Sequence, residues 1–89
     1  MVKHVKLKIF GRVQGVLFRA SAKREAEKLG VAGFIRNESD GSIYIEAEGH
    51  ESNLNKFLKW CGYGPIMAKV VRVETEEGPV KHFTDFKVL

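Results

Sequence analysis

An α+β sandwich, two helices laid on one face of an antiparallel sheet, is predicted by three features of this 89-residue chain. Val5, Leu7 and Ile9 alternate with His4, Lys6 and Lys8, the period-2 pattern of a half-buried strand. Two later segments, "FRASAKREAEKLG" and the stretch holding Leu54, Phe57, Leu58 and Cys61, carry apolar residues at helical spacing instead. Between these two segments Asp40-Gly41 separates a pair of strand-like runs, a hairpin signal because glycine accepts the positive φ such a turn needs.

The elements follow in order. The first strand is "MVKHVKLKIF"; after a glycine-bearing segment, Phe18, Ala22, Ala26 and Leu29 mark the first helix, with Gly30 placed as its stop. "GFIRN" and "SIYIEAEG" form the hairpin. The second helix comes next, with Ser52 or a near neighbour as N-cap and Gly62 as stop. Beyond Gly64-Pro65, "AKVVRVE" reads as a strand, and "VKHFTDFKVL", after a turn at Gly78-Pro79, as a last extended run. The order is βαββαβ with a short C-terminal extra strand. Each helix has a single apolar stripe, so both must cover the same sheet face, which is the ferredoxin-like α/β sandwich. That architecture hosts enzymes, RNA binders, metal carriers and sensors, so function must come from a site.

One domain over residues 1–89 is expected, because a chain of this length buries only about 60–65% of its unfolded surface and cannot divide its core. No apolar run approaches about 18 residues and the N-terminus alternates rather than forming a leader, so a cytoplasmic protein with no membrane partner is expected. Cys61 is the single cysteine and falls on an apolar helical stripe, which reads as packing. There is no Cys-x-x-Cys pair or close Cys and His cluster, so no metal or cofactor is expected. His4, His50 and His82 share no ligand spacing and read as solvated strand or loop positions. The formal net charge of +4 suits an anionic ligand without naming it.

The segment "GRVQGVLFR", residues 11–19, lies between the first strand and the first helix. A loop there aims backbone N–H groups at the same region as the free amides of the helix N-terminus, a concavity suited to an oxyanion. Gly11 and Gly15 allow its tight path, and a purely structural turn is the other reading. The Gly-Lys-Ser/Thr ending of a nucleotide loop and the dinucleotide fingerprint are both missing. Arg19, in the first helical turn, opposes the helix dipole at a cost of about 0.3–1 kcal/mol. A bound anion would reverse that sign; a carboxylate partner such as Glu38 is the alternative. Asn37 closes a strand just before the hairpin, where it either supports the turn or presents a carboxamide able to orient a water. Arg12 and Arg36 flank this region as anion-steering groups or plain surface charge, and Phe10, Phe18 and Phe34 read as core or sheet residues.

"GRVQGVLFR" resembles in full the phosphate-loop signature Gly-x-Val-Gln-Gly-Val-x-Phe-Arg of the acylphosphatase family. "GFIRNESDGSIYIEAEG" is similar to that family's Gly-aromatic-aliphatic-Arg-Asn and Asp-Gly hairpin block, and "GPIMAKVVRV" and Phe86-Lys87-Val88 to its later segments. The resemblance implies hydrolysis of a small acyl phosphate to a carboxylate and inorganic phosphate, without a metal or cofactor. By motif position it implies that Arg19 is the phosphate-binding catalytic arginine and that Asn37 holds the water. It further implies a cradle formed by the backbone amides of Gln14, Gly15, Val16, Leu17 and Phe18 around Arg19. A monomer is expected. The competing class is a non-catalytic binding module for nucleic acid or an anionic metabolite. The Lys/Arg-Gly-aromatic run of an RNA-recognition sheet is missing, so nucleic acid is not the expected partner. Membership of a carbamoyl-transfer assembly is a third reading.

Overall fold

A computed structural model describes residues 1–89 of the chain. Strand β1, Val2–Arg12, is followed by helix α1, Phe18–Leu29, then strands β2, Ala32–Asn37, and β3, Ile43–His50. Helix α2, Glu51–Cys61, and strands β4, Lys69–Gly78, and β5, Phe86–Val88, complete the order. The sheet runs β4-β1-β3-β2-β5. Its first four strands pair antiparallel, while β5 adds to the edge of β2 in parallel, with Ile35 opposite Val88. The expected sandwich is therefore present, in a sheet made mixed by its last short strand.

Side-chain alternation divides the sheet into two unlike faces. Val5, Leu7 and Ile9 of β1, Ile35 of β2 and Ile43, Ile45 and Ala47 of β3 are buried beneath the helices. They meet Phe18, Ala22 and Ala26 of α1 and Leu54, Phe57 and Cys61 of α2. The small Ala22 and Ala26 are fully buried, which lets α1 lie close to the sheet. Gly30 ends α1 in the left-handed region at φ 67° and donates its N–H to Ala26 and Glu27, the expected helix stop. Helix α2 is preceded by His50 with no side-chain cap, so Ser52 lies inside the helix rather than at its N-cap. No helix is long and apolar enough to cross a membrane.

The opposite face corrects two expectations. Of "VKHFTDFKVL" only Phe86–Val88 forms a strand; the preceding residues are irregular and pass over the far side of the sheet. Beneath them His4 is buried rather than solvated, with Nδ1 2.8 Å from Glu48 Oε2 and Nε2 2.9 Å from Glu46 Oε1. Lys81 Nζ donates to Glu46 at 3.0 Å, and the Phe83 amide donates to Glu48 at 2.9 Å. The Lys81 amide donates to Glu48 as well. A polar cluster thus fastens the 79–85 segment to β1 and β3. His50 and His82 are exposed, as expected, and Phe10 and Phe34 are half-buried on this face.

Candidate active site

The site begins where β1 leaves the sheet. Its register against β4 shifts between Phe10 and Gly11, and a Cβ at Gly11 would stand 2.1 Å from the Lys69 carbonyl oxygen. Only a residue without a side chain lets the two strands approach there, and the bulge turns the chain toward the helix layer. Val13, 1% exposed, anchors the departing loop in the core. Gly15 has φ +74° with open space where a Cβ would lie, so its requirement is conformational, not steric. Leu17 then enters the left-handed region at φ 65° and starts α1 without a side-chain cap.

This start leaves the helix end unusually bare. There is no acidic residue in the first turn, and the first amide of α1 with a backbone acceptor is that of Ser21, which donates to Leu17 at 3.1 Å. The amides from Gln14 through Arg19 have no backbone acceptor. An uncapped N-terminus with this many free donors is polarised to receive an anion.

Arg19 is half-buried, and its Nη1 donates to the Leu89 carbonyl oxygen at 3.0 Å. Leu89 is itself fixed, because its amide donates to Ile35 at 2.9 Å. The end of β5 therefore positions the guanidinium next to β2, whose last residue is Asn37. Glu38 does not pair with Arg19: it binds Arg36 at 3.2 Å, and the Arg36 guanidinium stacks 4.7 Å from the Tyr44 ring centroid. Arg36 is thus an exposed sheet-face residue, apart from the site. Asn37 shares the helix-side parity of Gly33 and Ile35 but emerges beyond the core, exposed. The hairpin turn is supported by Asp40, whose Oδ1 accepts from the Ser42 amide at 2.9 Å, and Asn37 takes no part in that bond. Those hydrogen bonds from Ser42, with Lys8 beside them, hold the Asp40 carboxyl down at about 2.

A cavity of about 490 Å³ gathers these parts. Gly15, Leu17, Phe18, Arg19 and Asn37 line it, joined by Val13, Ala20, Lys23 and Val88. Gln14, Val16, Arg12 and Arg36 are outside the lining. Gln14 does something its motif position did not announce: its Nε2 donates to the Glu38 carbonyl at 2.8 Å and the Ser42 carbonyl at 3.0 Å. One side chain so ties the loop to the hairpin and fixes the loop relative to Asn37. Lys23 and Val88 were also missed; the available signal for Lys23 was its i+4 spacing from Arg19 on one helix face.

Cys61 is fully buried in α2, where burial pushes its thiol pKa up, as a packing residue's would be. No group of three or more His, Cys, Asp or Glu side chains is arranged to hold a metal ion.

The family profile described as Acylphosphatase matches residues 5–88. A curated protein of Methylococcus capsulatus named Acylphosphatase is 43% identical over 89 residues, which cover 99% of this chain and 97% of that one. The solved structure of an acylphosphatase from Coxiella burnetii superposes with a TM-score of 0.95 at 33% identity, covering 99% of this chain and 93% of the other. The crystal structure of acylphosphatase from Bacillus subtilis gives a TM-score of 0.95 at 32% identity, covering 100% and 99%.

Proposed function

The chain belongs to the acylphosphatase family of acid-anhydride hydrolases, and from that premise we propose how its cavity splits a small acyl phosphate. The observation that carries the reading is that Arg19, the bare start of α1 and Asn37 line one cavity. The phosphoryl oxygens accept from the backbone amides of the lining residues Gly15, Leu17, Phe18 and Arg19 and from the Arg19 guanidinium, whose planar fork engages two oxygens at once. The bond to Leu89 holds that fork in place before substrate arrives, so little reorganisation is needed as charge develops.

Asn37 orients a water in line with the scissile bond. The water oxygen forms a bond to phosphorus as the bond from phosphorus to the acyl oxygen breaks, its electron pair leaving on the carboxylate. One water proton stays on the phosphate and the other passes to solvent. A carboxylate needs no general acid to depart, and a largely dissociative transfer asks little of a general base. A carboxamide, which offers an acceptor and two donors, is sufficient to place the water. An arginine on such a transition state contributes about 10³ to 10⁵ in rate.

The test is hydrolysis of benzoyl phosphate in EDTA, spontaneous loss subtracted. Wild type turns it over; Arg19→Ala loses both turnover and inhibition by inorganic phosphate. Asn37→Ala loses kcat but keeps phosphate inhibition, because water placement matters in the transition state. Phosphate inhibition that survives Arg19→Ala would put the cradle elsewhere, and a folded wild type without turnover would leave a binding module as the better account.

A further inference from the structure

Strand β4 is an open edge of the sheet. It pairs with β1 on one side and with no strand on the other, so along its 10 residues alternate amides and carbonyls have no strand partner. An edge of this length is a template for another strand, and charge along it usually prevents such pairing. Here the charges are ordered rather than scattered. Lys69 and Arg72 lie in the first half of "KVVRVETEEG", and Glu74, Glu76 and Glu77 in the second. Apolar surface accompanies the basic half: Ile66, just before the strand, is 98% exposed and Val71, within it, 70%.

A strand that is basic at one end and acidic at the other is complementary to its own reverse. We propose that two copies of this chain join along β4, antiparallel about a two-fold axis, in place of the monomer expected from the sequence. Such an axis, normal to the sheet, sets one residue opposite its own copy, and the charges select which. At Arg72 or Glu74 it would oppose like charges, at Thr75 it would set Glu74 against the partner's Glu76, and at Val71 it would leave the acidic half unpaired. An axis at Val73 sets Arg72 opposite the partner's Glu74, Val71 opposite the partner's Thr75 and Lys69 opposite the partner's Glu77. Arg72 already binds Glu74 of its own chain at 3.2 Å, with both side chains more than half exposed. That pair is kept, because the four charges then alternate in sign around the axis. The Phe10 ring, its centroid 4.1 Å from the Arg72 guanidinium carbon, holds this side chain against the sheet. The bulge against β1 leaves Val71 as the extra residue of β4, between the pairs Phe10–Arg72 and Gly11–Val70. Regular pairing is therefore centred on Arg72 to Glu74, which makes the association weak and reversible.

Sedimentation equilibrium of wild type from about 10 µM to about 1 mM, the range of a weak contact, should give an average mass rising toward twice that of one chain. Arg72→Glu and Glu74→Arg each place like charges across the axis, and each variant alone should stay at the mass of one chain. Mixed in equal amounts the two should associate again, because each chain then meets the opposite charge at both positions. Circular dichroism matching wild type shows that both variants fold. Wild type at the mass of one chain throughout overturns the proposal, as does association that either variant alone retains, or folded variants that stay single in the mixture.

Discussion

Arg19 sits in the first turn of α1 with no acidic neighbour in that turn, so its charge adds to the positive end of the helix dipole. This is unfavourable for a folded chain alone and favourable once an oxyanion is present. Lysine at the same place would keep the charge but not the fork. Arg19→Lys should therefore lower kcat/KM for benzoyl phosphate about 10²- to 10³-fold, the usual loss when an oriented donor is removed from a developing oxyanion. Its thermal unfolding midpoint should match wild type; kinetics within tenfold of wild type would mean that charge alone suffices. Arg19 was legible in the sequence because it breaks a local rule. Gln14 was legible only as a loop residue, since its side-chain acceptors are 24 and 28 positions away and no local pattern encodes that reach.

Helices and paired strands were legible at the level of elements because their periodicities differ. What covers a sheet face is not periodic. Alternation placed His4 on the side away from the helices, and solvent was the natural inference for a polar residue there. The 79–85 segment covers it instead, held through Glu46 and Glu48. Burial works to raise both carboxyl pKa values. Hydrogen bonds to Glu46 from Lys81 and Tyr44, and to Glu48 from the Lys81 and Phe83 amides and His4, outweigh it and hold both below 4.5. A carboxyl with a lowered folded-state pKa binds fewer protons folded than unfolded. Its contribution is complete above the unfolded value and is lost as pH falls through the folded one. The unfolding midpoint should accordingly decline as pH drops below about 4.5. Glu48→Gln should cost about 1–3 kcal/mol at neutral pH, because it leaves buried partners mismatched, and should flatten that acid decline. Denaturant titrations across pH measure both, and an equally steep acid limb in the variant would place the titrating group elsewhere. The parallel pairing of β5 was illegible for a related reason: the apolar pattern of a strand names its buried face, not the direction of its neighbour.

One hydrophobic cluster joins both helices and all of the sheet's central strands, so the molecule should unfold as a unit. Trp60 reports on that cluster, with its ring 5.4 Å from Phe18 at the start of α1 and 6.3 Å from Phe57. Its fluorescence and far-UV circular dichroism should give coincident transitions in denaturant; separate midpoints would mean that the α1 end opens independently of the sheet. The same cluster anchors the cavity, since Phe18 is core residue and cavity wall at once, 1% exposed. An anion held by the loop amides and Arg19 must perturb the signals of those groups first, and one spectrum can observe every amide of the molecule together. In a titration of the ¹⁵N-labelled protein with inorganic phosphate in EDTA, the largest shifts should fall on Gly15 to Arg19, with a smaller one at the Asn37 side chain, and all should vanish in Arg19→Ala. Shifts centred on the far sheet face around Lys6 and Lys8, or no saturable shift at all, would contradict this placement of the anion.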